Sequence, residues 1–510
     1  MNFRLTKGNF LKTGAYIEGD SAVFTFAAEK EDECSIVLLD KSGNTACVID
    51  IPAEYSTGSL YSVRLHGFCG NEYAYYFRIN GKRCIDPYAT RIFGREKWND
   101  KTRSDNDYEI ACGIDSSDFD WKYDSFPEIT RDRMKLYKLH VRGFSMDVSG
   151  NKKHKGTFEA VSDRINYIKK LGFTSILLMP VYEFEEMTIP VKHDIPEYAK
   201  PKYSLKDEQS VHTENDKVNF WGYTSGNYFA VKASYASDAS DASNELRRLV
   251  ERLHKNGMEC IVEMYFPDRT DHNLILDALR YWVMSFHVDG FKLLGDRLPV
   301  TAIVQDALLS RTKILYDGFD MSVVPQNRTY ENLYIDKEEY QFAARMMLNH
   351  INCNMYELLN QQKKQGENVG FINYISSNNG FTLSDLFMYN DRHNEANGEK
   401  NADGPSWNFS NNYGCEGPSR KRFIREIRKL KWKDAMLLLF LAQGVPMIMA
   451  GDEICNSQDG NNNAYCQDNP TGWVNWSNEH SRRENIRFLT RLIKFRDEHP
   501  VISCPKPFKF

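Results

Sequence analysis

Several polar side chains of this chain stand at or just past the ends of apolar runs. Glu263 and Asp268 close the run 258–266, Asp317 closes 312–317, and Asn378 and Asn379 follow 369–377. Asp296 lies two residues beyond Leu294, the end of the run 289–294, and shares its strand parity. Two carboxyl groups held roughly 5–5.5 Å apart can divide nucleophilic attack and proton donation between them. Side-chain amides both donate and accept, so Asn378 and Asn379 suit hydroxyl-bearing ligands. Trp221 and Tyr223, in the run FWGY, offer aromatic faces against which C–H groups can pack.

Such groups need elements that hold them. From residue 134 onward, apolar runs alternate with stretches of helical period. Strands are expected at 134–141, 174–180, 258–266, 289–294, 312–317, 331–336, 369–377 and 445–450. Phe158, Val161, Ile165, Ile168 and Leu171 mark a helix that Gly172 ends, and Leu246, Leu249, Val250 and Leu253 mark another, with Ser243 as N-cap. Eight strands with intervening helices predict an α/β fold, a (β/α)₈ TIM barrel over 131–510, whose chemistry sits at the carboxyl ends of the strands. Residues 1–105 read as a β-sandwich, with alternating runs at 22–28, 34–39, 45–51 and 73–79, and the acidic stretch 106–130 reads as a linker.

Bulk properties narrow the function. The formal charge of −5 provides no basic field for nucleic acid. Eleven scattered cysteines without a C-x-x-C pair argue against a zinc site or a disulfide framework. No run approaches the ~18 apolar residues of a membrane span, and the first residues lack the apolar stretch of a signal peptide. A cytoplasmic protein without cofactor or metal is expected.

The run INYISSNNGFTLSDLFMYNDRHNEANGE (372–399) resembles the seventh-strand segment of pullulanase- and isoamylase-type α-glucan debranching enzymes of the α-amylase superfamily. KLHVRGFS (138–145), LMPVYEF (178–184), NFWGYTSGNYFAVKASYAS (219–237) and AGDEICNSQDGNNNAYCQDN (450–469) resemble further motifs of that family, in order. The segment 73–94 resembles the end of its glycogen-binding-type amino-terminal module. The resemblance implies a glycoside hydrolase fold acting on α-glucan or maltooligosaccharide, and it assigns roles residue by residue. The nucleophile position falls on Leu294, which cannot form a glycosyl ester, and Lys292 replaces its orienting Arg. The acid/base position falls on Asp317, one methylene shorter than the family's Glu. Asn379 replaces the transition-state-stabilising Asp, and Asn378 the sugar-contacting His. Glu263 and Asp268 stand where the third-strand motif begins and ends, Lys138 where a Glu is usual, and Tyr223, beside Trp221, at the stacking aromatic.

The expectation is a catalytically inactive relative that binds α-glucan or regulates glycogen metabolism. The alternatives are an active α-1,6-glucosidase with displaced carboxylates, built from Asp296, Glu263 and Asp317, and a scaffold with a vestigial cleft. Family members usually carry a second β-sandwich after the barrel. The expected absence of that domain here would leave a barrel flank open to a protein partner.

Overall fold

The computed structural model describes residues 3–68, 70, 72–102, 110–123, 125–148, 154–187, 217–319, 331–366 and 368–506. The amino-terminal region forms two antiparallel sheets. One runs in the order Arg4–Lys7, Leu60–His66, Ser21–Ala27, Gly14–Glu18, and the other in the order Arg91–Phe93, Ala111–Gly113, Ala74–Ile79, Cys34–Leu39, Thr45–Asp50. Period-2 alternation sends Phe24, Phe26, Tyr61, Tyr75 and Phe77 into one shared core, where the Phe26 and Phe77 rings stack at 4.2 Å.

The strand Ala111–Gly113 corrects the linker expectation for 106–130. It pairs with Arg91–Phe93 and touches Tyr75, so the sandwich continues into that stretch. Residues 106–109 lie outside the described residues. The sandwich is tied to the barrel through Arg247, which bonds Asp115 at 2.9 Å and Ser117 at 2.9 Å, and through Tyr88, whose ring meets Phe229 at 4.8 Å.

All eight expected barrel strands are present, and they close. They are β1 (Leu136–Leu139), β2 (Ser175–Leu178), β3 (Glu259–Tyr265), β4 (Gly290–Leu294), β5 (Lys313–Leu315), β6 (Leu333–Asp336), β7 (Gly370–Asn373) and β8 (Val445–Met449), all parallel, with β8 returning to β1. Their inward residues stack in layers. Glu259 and Lys313 pair near the bottom, and an apolar belt of Leu136, Leu177, Ile261, Leu315, Tyr334, Ile372 and Met447 lies above them.

The helices packed outside include α1 (Ile165–Leu171), α2 (Ala242–Lys255), α3 (His272–Phe286), α4 (Arg422–Leu441) and α5 (Arg483–Glu498). Gly172 ends α1 at φ +108°, and a Cβ there would meet Ile493 Cγ2 of α5 at 2.5 Å. In α2 the N-cap position is Asp241 rather than Ser243. Arg496 of α5 is buried and donates to the carbonyls of Phe440, Ala442 and Gly444, which fixes the turn from α4 into β8.

Candidate active site

Strand parity builds the floor of the barrel mouth. One repeat above the apolar belt, the inward positions of β1, β3, β4 and β6 are Lys138, Glu263, Lys292 and Asp336. Lys138 Nζ lies 2.6 Å from Glu263 and donates to Asn378 Oδ1 at 2.7 Å. The Tyr223 hydroxyl donates to Glu263, and Lys138 lies 3.4 Å from that hydroxyl. Lys292 pairs with Asp336 and lies 3.9 Å from Glu263.

Two ammonium and two carboxylate groups are thus taken out of water together. Burial pulls the Lys138 pKa below its ordinary value, against the pull of Glu263. Burial acts the same way on Lys292, but Asp336, Glu263 and Asp317 outweigh it and raise its pKa. Burial, and then the charge of Glu263, raise the Tyr223 pKa. Such a network is costly to assemble and costlier to break, because removing one member strands its partner.

The residues singled out in the sequence divide into two groups. Glu263, Lys292, Asn378 and Tyr223 meet in or beside this network. Asp268, Asp296, Asp317 and Asn379 are exposed at the rim. Asp268 is 4.0 Å from Arg297, and the Asn379 carbonyl accepts from Ser377 at 3.0 Å. Asp317 acts electrostatically on Lys292 and on Tyr374. Leu294 ends β4 and packs against the cluster of Met179, Phe220, Trp221, Tyr223 and Tyr465.

In that cluster Trp221 is 3% exposed and Tyr223 6%. Both rings are thus largely covered by neighbours, which leaves little open face at Tyr223, the ring expected to stack on a sugar. Beside the network, between the loops that follow β1, β7 and β8, is a cavity of about 50 Å³ lined in part by His140, Asn378, Thr382 and Met449. That volume suits water and falls well below the ~300 Å³ of small ligand sites. Among the described residues, no three His, Cys, Asp or Glu side chains are grouped to hold a metal ion.

The loops after β7 and β8 hold each other. Asp385 is buried and accepts from Ser457 at 2.5 Å and from the Gln458 N–H at 2.8 Å, and burial pushes its pKa up to about 6. Asn394 donates to Asn462 at 2.8 Å, and Asn397 and Asn463 both donate to Asp403. Asp468 accepts from Arg142, Trp98 and Trp473. Arg345 reaches the carbonyls of Ile375 and Phe381. Many polar groups of the motifs read as sugar loops thus bond one another, while Glu399 Oε2, Asp403 Oδ1 and Asn463 Oδ1 are buried without a hydrogen-bond partner among the described residues.

Two members of the floor escaped the sequence reading. Asp336 ends the strand with the weakest pattern, and Lys138 stood out only as an unusual residue in the first-strand motif. Period-2 register across the eight strands was the signal that would have joined them.

Comparison with known proteins bears on this site. The Alpha amylase, catalytic domain family matches residues 148–274. The chain is 28% identical to "Isoamylase 1, chloroplastic" of Arabidopsis thaliana, over 86% of this chain and 66% of that protein. It is 27% identical to the "Glycogen debranching enzyme" of Enterobacter sp. (strain 638), over 98% of this chain and 86% of that protein. It thus spans about two thirds of the plant relative's length. The fold is similar to that of apo pullulanase from Paenibacillus barengoltzii, with a TM-score of 0.69 at 17% identity, covering 97% of this chain and 81% of that one. The same enzyme solved with maltohexaose and alpha-cyclodextrin has a TM-score of 0.69, also at 17% identity, over 98% of this chain and 82% of that one. By sequence and fold together, the chain is similar to the debranching-enzyme branch of the α-amylase superfamily.

Proposed function

We propose that this protein is a non-hydrolytic member of the debranching branch that binds α-glucan rather than cleaving it. The observation that carries the reading is Leu294 at the end of β4, beside a floor whose charged groups are already paired with one another. Retaining glycosidases need a carboxylate nucleophile beside an acid. Here the buried carboxylate Glu263 and the half-buried Asp336 are engaged by Lys138 and Lys292, while Asp317 stands at the rim. With the floor filled, a chain would lie along the rim, where Asp268, Asp317 and Asn379 offer hydrogen bonds to hydroxyls.

The test pairs two measurements on the intact chain. Reducing-sugar release from pullulan and glycogen, at high protein concentration, is expected at the blank for wild type and for Asp317→Asn alike. Calorimetric titration with maltooligosaccharide is expected to show saturable binding. Release that disappears in Asp317→Asn, or no saccharide binding at all, would overturn the reading.

A second reading keeps hydrolysis with displaced carboxylates. It is favoured by Asp336, which shares with Asp317 an electrostatic influence on Lys292 and Tyr374. It requires sugar release that both Asp336→Asn and Asp317→Asn abolish.

A further inference from the structure

On the outside of the barrel, α1 and α5 leave a groove of about 640 Å³ between them, within the range of small-molecule sites. Tyr167 and Ile486, both half-buried, form its accessible apolar part, with Leu171 and Trp476 buried behind them. Lys170, His480 and Arg483 stand along it, exposed, and none of the three makes a hydrogen bond or ion pair with another described residue. The acid in the groove, Glu479, is already neutralised by Arg164 at 2.9 Å, and Arg164 also lies over the Trp476 ring at 4.2 Å. The groove thus carries surplus positive charge beside an apolar wall.

We propose that this groove binds a sugar phosphate, with its phosphate on Lys170, His480 and Arg483 and its ring against the half-buried side formed by Tyr167 and Ile486. Arginine and lysine suit phosphate oxygens, the first through its planar fork and the second as a point charge. An uncharged saccharide would leave the cations unused, and a bare anion would leave the apolar wall uncovered.

Two wall residues also reach the barrel mouth. Tyr167 donates to Glu453 at 3.1 Å, and Glu453 accepts from Tyr137 of β1 at 2.9 Å. Trp476 donates to the Phe144 carbonyl at 2.5 Å, in the turn that follows β1. A ligand in the groove is therefore one side chain away from the loops that shape the mouth.

Isothermal titration of the intact chain tests this, with glucose 6-phosphate, glucose and inorganic phosphate as titrants. Saturable binding of glucose 6-phosphate is expected, with none for glucose and weaker binding for phosphate. Lys170→Glu with Arg483→Glu is expected to weaken it at least about tenfold at an unchanged melting temperature. A glutamate in the first turn of α5 suits that helix, and Lys170→Gln with Arg483→Gln supplies a milder pair with a smaller loss.

A phosphorylated maltooligosaccharide separates two sources of the same chemistry. Tighter binding than glucose 6-phosphate assigns the groove to modified glucan, and weaker binding assigns it to a free sugar phosphate. The proposal is overturned if neither sugar phosphate saturates, if the charge-reversed pair binds as wild type does, or if inorganic phosphate binds as tightly as the ester.

Discussion

Lys138 and Glu263 meet at 2.6 Å with almost no water around them, so their energetics follow the rule for buried pairs. Lys138→Met should destabilise the fold by about 3–5 kcal/mol, because Glu263 keeps its charge and loses its main counter-ion. Replacing both, as in Lys138→Met with Glu263→Leu, should recover much of that loss. Denaturant midpoints for the two singles and the double measure the pair. The same arithmetic applies to chemistry. Leu294→Asp restores a carboxyl at the end of β4, yet reducing-sugar release should stay at the blank. Asp317 and Asn379 remain at the rim, and the cations below remain bound to Glu263 and Asp336. Measurable turnover in that single variant would show that one residue, rather than the whole floor, silences the site.

Among the elements, the loop after β8 carries the clearest pH dependence. Glu453 is buried, and burial pushes its pKa up from 4.5 to about 7, against hydrogen bonds from Tyr137 and Tyr167 and with Asp452 adding to the rise. A raised carboxyl holds its proton longer in the folded state than in the unfolded one. Its stabilising effect is complete below about pH 4.5 and is lost as pH rises towards 7, by about 3 kcal/mol in all. Glu453→Gln should flatten that part of the stability profile. At Gly172, alanine would be strained at φ +108° and would also meet Ile493. Gly172→Ala should therefore cost more than the ~1 kcal/mol of a left-handed alanine alone, read as a lower melting temperature.

The elements were more legible in the sequence than the site. Long apolar runs at regular intervals disclose buried parallel strands, and all eight barrel strands followed from them, including the weak one at 331–336. The strand Ala111–Gly113 was missed because three residues in a polar stretch have no period to read. At the site, residue identity at strand ends could be read, and that is enough to see Leu294 at the end of β4. Partnership could not be read, because Lys138–Glu263 and Lys292–Asp336 join strands that are not neighbours. The burial of Trp221 and Tyr223 depends on a cluster drawn from six separate stretches of chain.

At the scale of the whole molecule, the sandwich and the barrel share a polar contact. Arg247 spans it, bonding Asp115, Ser117 and the Ser285 carbonyl. Arg247→Ala should uncouple the two bodies, so that calorimetry shows two separated transitions where wild type shows one. Retention of a single transition would place the coupling in the other contacts between them, among them Tyr88 with Phe229, Arg95 with Glu185 and Trp98 with Asp468.

The pairing pattern of the floor also sets an order of assembly. Lys138 of β1 finds its acid on β3, within the first half of the barrel, but Lys292 of β4 finds its close partner on β6, in the second half. A nascent chain that has made only four strands therefore has two cations on one carboxylate: Lys138 close to Glu263, and Lys292 at 3.9 Å from it without its close partner. Such a half-barrel is left with surplus positive charge over its apolar belt. Closure should then be all-or-none across β4 and β6, and a fragment ending before Asp336 should fail to hold a compact barrel half on its own.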